Sequence, residues 1–333
     1  MNTNIKSIID RSLAGKELQP AELKTLFEVP LFSEEAFYIQ FASRSMSEES
    51  CEGLAEIHGQ VGVNSGPCAC NCQFCSFAAS NRIFREQQIE DNEVIIRQVT
   101  ELAQQGANAI YLMATAQLDL PRYLEIGRAV HQILNDDLPL IANVGDFDFQ
   151  QALALKEAGF AGVYHALRLG EGRVTRIEPK KRLASFQAAH QAGLLLGTCL
   201  EPVGPEHDVD ELVEKTLITR EAAPVFSGAA RRINIPETEI SKYGMISETR
   251  AAYVMAVVRL AMGYKIPGNC THEPSVIGAV AGANLLWAES GSNPRDVVEN
   301  TEKSRGFDTN RCRQIYTEAE WKIRKGASLY YKI

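Results

Sequence analysis

Four of the chain's eight cysteines fall within eight positions of the stretch GPCACNCQFCSFAASN, residues 66–81. Such crowding of thiols suits three chemistries: a disulfide staple, a zinc knuckle, or the cradle of an iron–sulfur cluster. The spacing is Cys68-x3-Cys72-x2-Cys75, with Cys70 between. A structural zinc site closes with four ligands, usually as two Cys-x2-Cys pairs, and the sequence holds no second such pair. Three thiolates on a four-iron four-sulfur cluster leave one iron able to bind a substrate or cofactor. The N-terminus MNTNIKSIIDRSLAGKEL lacks the apolar core and cleavage site of a signal peptide, which predicts a cytoplasmic chain whose thiols stay reduced. That reading places disulfides behind a metal centre.

The elements that must position these cysteines can be read from periodicity. Residues 1–50 carry helical patterns with start signals: LQPAELKTLF and LFSEEAFYIQFASR put Pro20 and Ser33 at helix N-termini ahead of acidic residues. The pattern then changes to short apolar or β-branched runs separated by amphipathic helices. Eight strands are predicted, at 56–63, 108–114, 138–144, 161–167, 194–201, 230–235, 264–268 and 282–288, each followed by a plausible helix. Glycine closes several of those helices, as in LAQQGAN and LKEAGFAG, where it suits the left-handed residue past a helix end. Eight units over about 230 residues fit an α/β fold of the (β/α)8 TIM type, which runs to about 250. A doubly wound open sheet is the alternative. The predicted organisation is a helical extension, 1–50, and a barrel with C-terminal helices, 51–333. Active sites of such barrels lie at the carboxyl ends of the strands, and the cysteine loop directly follows the first strand.

With Phe74 before the last cysteine, the loop resembles the C-x3-C-x-(aromatic)-C motif of the radical S-adenosylmethionine (SAM) superfamily. RSLAGKELQPAELKTLFEVP, RLASFQAAHQAGLLLGTCLEPVGPE and AGANLLWAESG extend the resemblance over most of the chain, toward the biotin synthase-like branch with its hydrogenase-cofactor maturase and methylornithine synthase relatives. The resemblance implies a four-iron four-sulfur cluster on Cys68, Cys72 and Cys75, with SAM on the open iron. One electron would then cleave SAM to methionine and a 5′-deoxyadenosyl radical that abstracts hydrogen from a small substrate. It further implies a flavodoxin- or ferredoxin-type reductant. Arg182 would pair with the SAM carboxylate, a role suited to a bidentate fork. Arg168 and Glu171 correspond to polar cofactor or substrate ligands, and the small residues Ala114 and Thr115 stand where backbone meets the methionine amino group. Glu201 and Val203 belong to the strand-five segment, whose PVGPE turn would line the adenine.

The sequence departs from biotin synthase where that enzyme holds its sulfur-donating second cluster. Cys199 and Cys270 nevertheless stand at strand ends, where they could anchor an auxiliary cluster or donate sulfur, or could be inert buried thiols. His272 and Glu273, in CTHEPS, stand at the barrel mouth and could position a substrate or move a proton. His58 and His165 read as satisfied core histidines, and Asn143, Arg232 and Asn234 as weaker polar candidates for the cavity wall. Sulfur insertion of the biotin synthase type is the first expected reaction, carbon-skeleton rearrangement or fragmentation the alternative, and a zinc-stabilised binding module the remote one. A net charge of -8 argues against a nucleic-acid partner, and no run suits a membrane span. A small-molecule substrate and a monomer or homodimer are expected.

Overall fold

The computed structural model describes residues 2–134, 137–296 and 307–332. Three helices, α1 (Thr3–Leu13), α2 (Pro20–Phe27) and α3 (Glu34–Ser50), precede the first strand. Their starts follow the sequence signals: Pro20 opens α2, where its missing N–H removes no helical bond, and the Ser33 hydroxyl accepts the Ala36 N–H at 3.1 Å.

Eight strand positions follow: β1 (Leu54–Gly62), β2 (Ile110–Met113), β3 (Leu140–Asn143), β4 (Phe160–Tyr164), β5 in two pieces (Leu195–Gly197 and Leu200–Val203), β6 (Phe226–Arg231), β7 (Gly268–His272) and β8 (Leu285–Gly291). Each pairs in parallel with the next, and β8 returns to β1, so the sheet closes into a ring. The helices between and after them are α4 (Asn92–Gln104), α5 (Leu120–Leu134), α6 (Phe149–Glu157), α7 (Pro179–Ala192), α8 (Val209–Glu221), α9 (Glu248–Met262), α10 (Val276–Val280) and α11 (Thr309–Glu318). This is the expected (β/α)8 barrel.

Three strands sit earlier or later than their sequence signals, the eighth at Leu285–Gly291 instead of 282–288. The β-branched run at 230–235 drew the sixth strand forward, but the chain pairs over the small residues of FSGAAR and then leaves the sheet at the barrel mouth. The seventh strand starts only after Pro267, which has no N–H to give a ladder, so it occupies Gly268–His272 instead of 264–268. The fifth strand, expected as one run over 194–201, breaks at Thr198 and Cys199.

The barrel interior is filled by aromatic rings rather than left as a pore. Trp287 packs on Phe226 and Tyr111 with centroids 5.4 and 6.0 Å apart, and Tyr331 from the C-terminal segment reaches Tyr111, hydroxyl to hydroxyl, at 3.0 Å. Helix α9 is buried from Ala251 to Met262, as expected of a helix apolar on all sides, because α1–α3 cover its outer face. Gly228 on β6 holds φ at +137°, and a Cβ there would meet the Cys270 carbonyl oxygen at 2.1 Å. A Gly228→Ala variant should therefore lose at least ~1–3 kcal/mol of stability from the backbone alone, read as a lowered urea midpoint. An unchanged midpoint would contradict the close approach of β6 to β7.

Candidate active site

A cavity opens at the carboxyl ends of the strands, and the cysteine loop forms one of its walls. The loop fixes itself by its own hydrogen bonds. The Cys75 N–H donates to the Cys72 carbonyl at 2.8 Å, the Ala79 N–H to the Cys68 carbonyl at 3.1 Å, and the Asn81 amide to the Cys75 carbonyl at 2.8 Å. Phe77 packs edge-on against Phe84 at 5.0 Å and seats the loop on Met113 at the end of β2. Cys68, Cys70, Cys72, Cys75 and Phe74 all face the cavity.

Their protonation explains what the loop lacks. A hydrogen bond from the Cys70 thiol pulls Cys68 down to about 6, whereas burial pushes Cys72 up to about 11, against the pull of Arg168, and Cys75 up to about 12. Buried thiols need nearby positive charge to ionise, and iron supplies it on binding. Among the described residues no three such donors already converge on a metal-sized point. The loop therefore presents its thiols along one wall, and a cluster would draw them together. Soft thiolates on a closed, partly apolar wall fit an iron–sulfur cluster.

Two arginines line the same cavity as the cysteines. Arg182, on α7, is 5% exposed and is gripped by Asp146 Oδ1 at 3.0 Å, Glu171 Oε2 at 3.3 Å and His165 Nε2 at 3.1 Å. Arg168 meets Glu201 at 3.3 Å, and the Tyr164 hydroxyl donates to the same carboxylate at 2.5 Å. Both guanidinium groups line the cavity, as do Glu201, Ala114 and Thr115. The Thr115 backbone is held by Asn64, whose amide donates to the Thr115 hydroxyl at 2.8 Å and accepts its N–H at 2.9 Å.

His165 has a measurable consequence. Burial and the charge of Arg182 hold it down to about 4, against the pull of Asp146. An unfolded histidine titrates near 6.5, so between those two values the unfolded chain binds the extra proton. Stability conferred by the neutral ring is then fully present above about pH 6.5 and falls as pH drops to about 4, by on the order of 3 kcal/mol. Urea midpoints across that window should fall less steeply for His165→Gln. Equal slopes for the two proteins would contradict a neutral His165.

The remaining wall comes from β7, β8 and the loop after β8. His272 lines the cavity, stacks on Trp287 at 5.1 Å and contacts Glu289 at 3.1 Å. Arg295 also lines it, bonding to Glu289 and reaching Glu273 at 3.0 Å. Burial works to raise Glu289, but Arg295 and His272 overcome it and hold its carboxyl well below the usual range.

Of the residues singled out in the sequence, Cys68, Cys72, Cys75, Phe74, Ala114, Thr115, Arg168, Arg182, Glu201 and His272 share this cavity, with Asn143 and Arg232. Glu171 stands behind Arg182 with Thr175, and Glu273 is tied to Arg295. Val203, expected at the cofactor, is instead buried in the core beneath α9 and does not line the cavity, whereas its neighbour Pro202 does. Cys199 and Cys270 touch each other in the interior below the cavity, their sulfurs 2.6 Å apart. His58 is a core histidine bonded to Glu56 at 2.8 Å and Tyr111 at 3.0 Å. Sequence reasoning missed Asp146, Tyr164, Glu289 and Arg295. Their one signal was placement at or just past the carboxyl ends of strands.

Residues 66–218 match the model of the radical SAM superfamily. The chain is 23% identical over 204 residues to the biotin synthase of Clostridioides difficile (strain 630), an alignment covering 58% of this chain and 62% of that relative. Its fold is similar to that of the FeFe-hydrogenase maturase HydG from Carboxydothermus hydrogenoformans, with a TM-score of 0.79 at 17% identity over 98% of this chain and 80% of that one. It is also similar to that of methylornithine synthase (PylB), with a TM-score of 0.77 at 16% identity over 96% and 97%.

Proposed function

We propose that this chain, which carries a radical SAM domain over residues 66–218, is an enzyme that abstracts hydrogen from a small-molecule substrate held in the cavity of its barrel. Superfamily membership implies a four-iron four-sulfur cluster and SAM as cofactors. Cys68, Cys72 and Cys75 would hold the cluster; when reduced, it supplies the single electron that splits the sulfonium of SAM and yields a hydrogen-abstracting radical. The observation that carries the reading is one shared cavity: three motif thiols and two arginines line it together at the carboxyl ends of a closed barrel.

The chain's own residues then have definite tasks. Arg182 is preorganised by Asp146, Glu171 and His165, so its fork can bind a carboxylate without first losing rotamer freedom. Ala114 and Thr115 present backbone with little side chain in the way, and Asn64 fixes that backbone. Phe74, Trp287 and Tyr111 cover apolar parts of the wall and exclude water from a site that must protect a reactive species. His272, braced by Glu289, faces the substrate side and can hold or move a proton there.

Two reaction classes stand within this reading. Likeness to biotin synthase supports sulfur insertion, which needs an auxiliary iron–sulfur cluster. The sequence's departures from biotin synthase where that enzyme holds its second cluster support the other, carbon-skeleton rearrangement or fragmentation, as does the direct contact of Cys199 with Cys270. A flavodoxin- or ferredoxin-type reductant, a cytoplasmic location and a monomer or homodimer complete the proposal; no described helix is long and apolar enough to cross a membrane. The test is anaerobic reconstitution followed by SAM and dithionite. Release of 5′-deoxyadenosine supports the reading, and its absence from iron-loaded protein overturns it. Iron and sulfide beyond one cluster per chain, lost in Cys199→Ser, would return sulfur insertion to first place.

A further inference from the structure

Cys199 and Cys270 lie one layer below the cavity. Glu201 and His272 stand two positions further along the chain and line it, while the two thiols, 2% and 0% exposed, sit deeper in the interior. They come from β5 and β7, on either side of β6, and the β6 residue opposite Cys270 is Gly228, which adds no side chain between them. Their sulfurs are 2.6 Å apart. Above them the Tyr164 hydroxyl faces both Cys199 and Glu201, and Tyr164 itself lines the cavity. A continuous path therefore runs from the cavity through one phenol to two touching thiols.

The pair suits hydrogen-atom chemistry. Burial and the partner sulfur push the Cys199 thiol well above its ordinary range, so it keeps its proton beside Cys270. A protonated thiol is a poor ligand and a poor nucleophile. It is nonetheless a good hydrogen-atom donor, because the S–H bond is weaker than an aliphatic C–H bond and homolysis needs no ionisation.

We propose that Tyr164, Cys199 and Cys270 form a hydrogen-atom relay that quenches a carbon-centred radical in the cavity, an inference that rests on the radical reading above. The carbon radical takes the hydrogen of the Tyr164 hydroxyl: a C–H bond forms and an O–H bond breaks. The phenoxyl takes the hydrogen of the Cys199 thiol, and the resulting thiyl is shared with the adjoining Cys270 sulfur. One electron from the low-potential reductant and one proton from water restore the thiol. The sum is one carbon radical, one electron and one proton consumed for one C–H bond made.

The relay's hydrogens exchange with solvent, which makes them traceable. Reconstituted enzyme equilibrated in deuterium oxide and given SAM and dithionite without substrate should release 5′-deoxyadenosine carrying one deuterium, read by mass spectrometry. The labelled fraction of the nucleoside formed should fall to near background in Tyr164→Phe and Cys199→Ser, since neither replacement offers a weak O–H or S–H bond; Cys199→Ala serves should the serine variant not fold. Unlabelled nucleoside from the unaltered enzyme, or an unchanged label in these variants, overturns the relay while leaving the radical reading standing. No nucleoside at all overturns both. In the cluster-free chain, oxidation by copper–phenanthroline should also yield a Cys199–Cys270 linked peptide. Its absence once the motif cysteines have been oxidised contradicts the contact on which the relay depends.

Discussion

Alanine at any one of Cys68, Cys72 or Cys75 is expected to leave the reconstituted protein without a stable cluster and without detectable 5′-deoxyadenosine, whereas alanine at Cys70 should retain both. The four thiols share one loop and one cavity wall, so exposure does not separate them. Spacing and partnership do. Burial pushes Cys72 and Cys75 up to about 11 and about 12, so neither ionises near neutral pH until iron arrives. Cys70 falls between the motif positions, next to Cys68, whose thiol is held down to about 6 chiefly by Cys70. A cluster held by three protein sulfurs and reduced to two loses one of its few covalent anchors, and metal affinity in such sites is also folding free energy for the loop. Iron per chain and the visible absorption of the reconstituted variants measure this directly. Equal loss in all four variants would mean that Cys70 is also a ligand, and retention in Cys72→Ala would remove the three-thiolate assignment.

Arg182 is expected to produce the second large effect, in stability and in SAM binding together. Its guanidinium is the only described cation that bonds both Glu171, whose side chain is fully buried, and Asp146. Alanine there strands two carboxylates, and removing one partner of a buried pair costs about 3–5 kcal/mol. Lysine keeps the charge but cannot fork between two acids, so it should recover only part of that loss. SAM affinity should fall at least about tenfold in both variants, which corresponds to about 1.4 kcal/mol. Urea unfolding and calorimetric titration of SAM into reconstituted protein separate the two consequences. A lysine variant with full SAM affinity would show that a point charge suffices and that the fork is incidental.

The sequence carried the architecture well because a barrel repeats one simple unit. Periodicity switches between strand and helix eight times, and capping residues such as Ser33 mark the boundaries locally. The cysteine motif was legible for the same reason, since its ligands are neighbours in the chain. What stayed hidden was set by residues distant in sequence. Asp146 matters only because α7 brings Arg182 back over the end of β3, and Glu289 only because Arg295 and His272 fold onto it. The sixth and seventh strands were misplaced because small residues pair well in a crowded ring despite weak strand propensity, and because Pro267 sets where pairing can begin. Cys199 and Cys270 stood out at strand ends, as cluster or sulfur-donating candidates or as inert buried thiols, but that they touch depends on the ring bringing β5 and β7 to either side of β6.

The most direct test of the central claim is electron paramagnetic resonance of the reduced, reconstituted protein before and after SAM is added. A cluster with one iron free of protein ligands should give a four-iron four-sulfur signal whose line shape changes when SAM occupies that iron. A signal that SAM leaves unaltered, or iron-loaded protein with no such signal, would contradict the account.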